Sequence, residues 1–136
     1  MSERPPELSV PRPDEAAPAP TANSLGVIVV HLGLAERLWL RAVVAGEAMD
    51  MAWRARMFEL PDGWSTEDVV AFYRAETAAA DAVLDAAASF DLPARGSRRR
   101  TRLRGVVTHL VEETARHVGH MDIPRELLDG LSLIHI

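Results

Sequence analysis

Apolar residues recur at three- and four-residue intervals in three long segments, and no stretch alternates in the manner of a strand. In the first segment Leu25, Ile28, Leu32, Ala35, Trp39, Ala42 and Val43 share one helical face. Ser24 stands ready as its cap, and Gly46 follows its end near Ala45. His31 lies at the edge of that face, whereas Arg37 and Arg41 fall away from it. The second segment opens with Ser65 and Asp68 at capping-box spacing and predicts a helix over 66–89. Its stripe is Val69, Phe72, Ala79, Val83 and Ala86, with small residues that admit a close neighbour, and Pro93 and Gly96 break the chain beyond it. The third predicts a helix over 99–129, closed by Gly130, with Leu103, Val106, Leu110, Thr114, His117 and Met121 inward. Pro124 inside it removes one backbone bond and predicts a kink. Three such helices predict an all-α, antiparallel helical bundle.

The remaining segments differ in kind. Residues 1–22 hold six of the nine prolines, which predicts a disordered tail ahead of a single domain over 23–130. The connection over 46–64 carries Met49, Met51, Trp53, Met57, Phe58 and Trp64 around a Pro61-Asp62-Gly63 turn. Six large apolar side chains need cover, either as a satellite cluster under a long loop or as the mouth of a ligand pocket. Met49, Trp53 and Phe58 are the candidate pocket-lining residues. The apolar stretch 131–136 has no evident packing partner and receives no functional weight.

Composition narrows the chemistry. The chain of 136 residues has no cysteine, which excludes disulfides, thiolate metal sites and a cysteine nucleophile. All 15 basic residues are arginine, so Schiff-base chemistry and a P-loop lysine are excluded as well. Six of those arginines fall at Arg95, Arg98, Arg99, Arg100, Arg102 and Arg104. With a net charge of -5 and no interleaved aromatics, they read as a solvated face, and neither nucleic acid nor a membrane is an expected partner. No targeting signal or membrane-length apolar run is visible, and the cytoplasm is the expected location.

The third segment reads H-L-V-E-E-T-A-R-H-V-G-H from His109 to His120. Glu113 and His117 stand one helical turn apart on one face, with His109 a turn before and His120 a turn after. A carboxylate and an imidazole at this spacing either form a surface ion pair or offer two metal ligands. Burying four such groups without a cation is costly. A third ligand must come from another helix, where His31 is the candidate.

Two stretches carry a family resemblance. H-L-G-L-A-E-R-L-W from His31 to Trp39 and E-E-T-A-R-H-V-G-H-M-D-I-P-R-E-L-L-D-G from Glu112 to Gly130 resemble the DinB-like superfamily. The similarity covers about residues 24–130 and is closest to the actinobacterial branch that includes mycothiol-dependent maleylpyruvate isomerase and mycothiol transferase-like domains. The resemblance implies a four-helix bundle holding a divalent metal on His31, Glu113 and His117. Zinc is the first choice for a two-histidine, one-glutamate set with open positions, and nickel or iron accept the same ligands. It further implies that the metal activates a small external thiol such as mycothiol, in a transferase or isomerase acting on an electrophile. His120, Asp122 and Glu36 match family positions and are expected to orient ligands or meet substrate, Glu36 through a salt bridge on the bundle surface. The alternatives are a non-catalytic metal-binding or helical interaction protein, or a truncated, inactive homologue. Two departures stand out: the Pro-rich tail replaces the family's first helix, and Pro124 replaces an aliphatic residue. A missing helix predicts an apolar groove between the first and last helices, and with it a homodimer or aggregation.

Overall fold

The computed structural model of the chain describes residues 20–96 and 101–130. Helix α1 spans Pro20–Glu36 and continues without a break as a π-helix over Arg37–Val44. A 3₁₀ turn, Ala52–Arg56, sits in the connection. Helices α2 (Thr66–Asp85) and α3 (Leu103–Asp129) complete the fold. Residues 1–19, 97–100 and 131–136 lie outside the described part, so most of the expected tail, Arg98, Arg99 and Arg100 of the arginine run, and the apolar end receive no structural account. Ser24 is not the cap of α1, which starts at Pro20. A proline fits the first turn of a helix, where its missing N–H has no intrahelical partner to lose.

The expected capping box forms at α2. The Asp68 N–H donates to Ser65 Oγ at 3.2 Å, and the Ser65 N–H donates to Asp68 Oδ2 at 2.8 Å. The helix stops at Asp85, four residues before the expected end. Helix α3 continues through Pro124 and closes on Gly130, whose left-handed φ of 70° suits glycine. Residues 90–95 return beside the start of α3, the Ala94 N–H donating to the Thr101 carbonyl at 2.8 Å and the Leu103 N–H to Leu92 at 2.9 Å. Gly96 then meets the end of the π segment. A Cβ there would stand 2.1 Å from the Ala42 carbonyl oxygen, so no side chain fits.

Helix α1 packs along both α2 and α3, which make little backbone approach to each other. One core joins Leu40, Ala80, Leu103 and Val106; the other joins Val30, Leu34 and Val69, with Trp53, Leu60, Trp64 and Phe72 against them. Those pairings set the directions. Val30 meets Val69 and Leu40 meets Ala80, so α1 and α2 run the same way, whereas Leu40 against Leu103 and His31 against Glu113 make α3 antiparallel to α1. The parallel pair requires the long connection over 45–65 to run back along the bundle. Its aromatic and methionine side chains are what cover the second core. The chain is thus an all-α bundle, and its central helix is buried on two sides.

That position explains two departures from the one-face reading of α1. Residues 30–35 are buried without interruption, since α2 takes one side and α3 the other. Arg37 and Arg41 continue the Val30–Leu34 stripe onto α2, where both pair with the buried carboxylate of Glu76. The groove expected between the first and last helices is filled by their packing. Exposed apolar side chains instead mark the outer flanks of α3, at Val111, Val118, Ile123 and Leu127.

Candidate metal centre

Three side chains converge where α1 crosses α3. His31 Nε2 lies 3.1 Å from Glu113 Oε1, and His117 Nε2 lies 3.3 Å from the same oxygen. Their ligand atoms all fall within 4.8 Å of one another, and this is the group of metal-ligating side chains found among the described residues. Glu113 and His117 meet because one turn of α3 separates them. His31, only 4% exposed, reaches them because α1 runs antiparallel to α3 at that level.

The Met57 backbone fixes how His31 is presented. Its Nδ1 lies 3.2 Å from the Met57 backbone carbonyl, which can only accept, so Nδ1 carries the proton. In the neutral ring Nε2 then offers a lone pair, and it faces an ionised carboxylate oxygen that also has only lone pairs to offer. Two acceptors at 3.1 Å repel unless a proton or a cation lies between them. A backbone carbonyl on one nitrogen with the other left free is the usual arrangement of a metal-binding histidine. The separations also fit. Donors about 2.0–2.1 Å from a tetrahedral ion stand about 3.4 Å apart. The residues present therefore fit a divalent cation.

Ionisation points the same way. Burial raises the Glu113 carboxyl, but the hydrogen bond from His31 and the charges of His117, His31 and His109 outweigh it, and its pKa is lowered. The His117 pKa is lowered chiefly by burial and next by the charge of His31, against the pull of Glu113. Glu113 favours charged imidazoles around it while burial favours a neutral His117. A bound cation satisfies both.

The neighbours divide into those that join the centre and those that do not. Phe58 stacks on His31 with ring centroids 4.1 Å apart, although it is 64% exposed. His120 is exposed and edge-on to His117 at 5.8 Å. His109 lies 3.7 Å from Glu113 Oε2 and leans on Trp39, and Arg116 approaches the same oxygen at 3.8 Å. Asp122 is instead paired with Arg125 at 2.8 Å. Glu36 has no ion pair among the described residues, contrary to the expected surface salt bridge. It is half-buried, and burial together with Asp81 and Glu76 raises its pKa. Trp53 lines a cavity on the α2 side of the connection, whereas Met49 is half-buried and lines none of the described cavities. Sequence reasoning missed the Met57 carbonyl, because a backbone acceptor has no residue signature.

The helical bundle thus gathers two imidazoles and a carboxylate from two helices as a candidate metal site, in a chain that carries no thiol of its own. The chain belongs to the mycothiol S-transferase family, whose sequence profile matches residues 12–130. Membership implies a thiol substrate. No curated protein and no solved structure matches the chain. No helix of the described residues is long and apolar enough to cross a membrane.

Proposed function

We propose that the protein is a metal-dependent thiol transferase of the cytoplasm, in which His31, Glu113 and His117 hold one divalent ion, zinc by preference, and the thiol is mycothiol or a close analogue. The observation that carries this reading is the His31 ring, pinned by the Met57 carbonyl with its free nitrogen aimed at Glu113. A divalent cation held there supplies the charge that keeps a thiol sulfur deprotonated at neutral pH. The chain contains no cysteine, so the sulfur comes from outside.

The protein's own groups do the rest. Met57 holds the His31 tautomer, and Glu113 contributes the negative charge that binds the ion. Phe58 shields the His31 face from water on one side. His120, exposed beside His117, meets the incoming thiol in this reading. Transfer joins the thiol sulfur to an electrophilic carbon, the leaving group departs with its electron pair, and the thiol proton passes to solvent.

The test mixes zinc-loaded protein, mycothiol and 1-chloro-2,4-dinitrobenzene and follows formation of the dinitrophenyl thioether. The expected result is a rate above the uncatalysed one that disappears in His117→Ala. Zinc binding without any acceleration, over a panel of electrophiles, would leave a metal-binding protein and overturn the transferase reading.

A further inference from the structure

We infer that His109 and Arg116 are positioning residues that hold the outer oxygen of Glu113, so that a bound ion takes one oxygen of that carboxylate and keeps a position open to an outside ligand. This rests on the metal reading of His31, Glu113 and His117, and not on thiol transfer. The sequence places His109 and His117 symmetrically, four residues before and four after Glu113, and either spacing suits a ligand pair. The structure treats them differently. The ligand atoms of His117, His31 and Glu113 lie within 4.8 Å of one another, whereas His109 is not among the side chains gathered there.

The two oxygens of Glu113 have separate partners. Oε1 lies 3.1 Å from His31 Nε2 and 3.3 Å from His117 Nε2. Oε2 lies 3.7 Å from His109 Nε2 and 3.8 Å from the Arg116 guanidinium, at ion-pair rather than hydrogen-bond distance. Arg116 is charged at every pH the folded protein meets. His109 is braced from behind: its ring centroid stands 4.7 Å from that of Trp39, which packs on the core of Leu40, Ala80, Leu103 and Val106. The outer oxygen is therefore tied to the core on one side and to a cation on the other. Carboxylates that ligate metals are commonly fixed in this way, and losing such partners costs about 10–100-fold in metal affinity. Here the hold also decides what else can bind. Two imidazoles and one carboxylate oxygen leave the fourth position of a tetrahedral ion free, as in catalytic zinc sites. An Oε2 free to turn inward would compete for that position, and His109 and Arg116 draw it outward.

Cobalt(II) accepts the same ligands as zinc and reports them through its visible absorption bands. The full chain, loaded with cobalt, is titrated at pH 8 with imidazole. That ligand is largely uncharged there, so losing the Arg116 charge does not by itself change its affinity. The native protein is expected to take up cobalt and to shift its bands as imidazole binds. The His109→Ala/Arg116→Ala double variant changes two partly exposed side chains and should keep its helical circular dichroism. It should bind cobalt about tenfold more weakly, and imidazole on the loaded protein about tenfold more weakly as well. His109→Gln, which returns an N–H to the neighbourhood of Oε2 beside the native Arg116, should recover both affinities. A double variant that binds imidazole as the native protein does, with or without a loss of metal affinity, would overturn the positioning role and leave the metal reading standing. A native chain that takes up no cobalt would overturn the metal reading, and the positioning role with it.

Discussion

Replacing Glu113 with glutamine should have opposite effects on the metal-free and metal-loaded protein. In the metal-free protein with the His31 ring neutral, its Nε2 lone pair faces a carboxylate oxygen at 3.1 Å. The Met57 carbonyl prevents the ring from offering its other nitrogen. Glutamine keeps the shape and can turn an N–H toward Nε2, so a repulsive contact becomes an ordinary hydrogen bond. Such a bond contributes about 0.5–1.5 kcal/mol. For a chain of this size that raises the melting temperature by about 2–5 °C. Adding zinc reverses the order. At a hundredfold excess over Kd a bound ion stabilises the native protein by about 2.7 kcal/mol, and the glutamine variant loses most of that. Lower pH gives a third reading. With the ring protonated, Nε2–H donates to the ionised Glu113, the carboxylate becomes the better partner, and Glu113→Gln should then destabilise. Thermal melts followed by circular dichroism, with chelator or zinc at pH 8 and with chelator at pH 5.5, test all three. A variant that is less stable without metal at pH 8, yet gains as much from zinc as the native protein, would refute the reasoning.

Further outcomes follow from other contacts. Glu76→Ala leaves Arg37 and Arg41 without their shared buried carboxylate, and urea denaturation should show a loss of about 3 kcal/mol. Gly96→Ala forces a Cβ against the Ala42 carbonyl oxygen, which cannot swing aside as a side chain does, and should cost about 2–3 kcal/mol by the same assay. The metal-free protein should lose stability on acidification in two stages. The lowered His117 pKa makes the unfolded chain take up a proton first as pH falls through about 6.5, and the lowered Glu113 pKa withdraws a second contribution below about 4.5. Sedimentation equilibrium should show a homodimer through the exposed flank of α3, and Val111→Glu with Val118→Glu should return it to a monomer without loss of metal binding; a native monomer at all concentrations would contradict that assembly.

Much of the scaffold was legible because its signals are local. The Ser65-Asp68 box marks the start of α2 from four residues, and the Glu113–His117 spacing marks a candidate ligand pair within one turn of α3. His31 was harder, since its partners stand 82 and 86 positions away; it was found as the histidine of another long helix and through the family resemblance. Arg37 was misplaced for a physical reason. Reading α1 as a helix with one buried face sends Arg37 and Arg41 to solvent, but a helix between two others buries two faces. The sign was present in residues 25–35, which are apolar or small nearly all round apart from His31. Glu76 carried a similar sign: it falls on the stripe of Val69, Phe72 and Ala80, where an acid needs a cation. The π geometry of Arg37–Val44 and the parallel run of α1 and α2 have no such local marker, because both depend on how the long connection packs.

The central claim is that His31, Glu113 and His117 together hold one divalent ion. Elemental analysis of protein purified in the presence of zinc and then dialysed exhaustively tests it most directly, on the native chain beside the His31→Ala/His117→Ala double variant. The account predicts one equivalent of metal in the native protein and none in the double variant. Stoichiometric metal in the double variant, or a native protein that retains none, would contradict it.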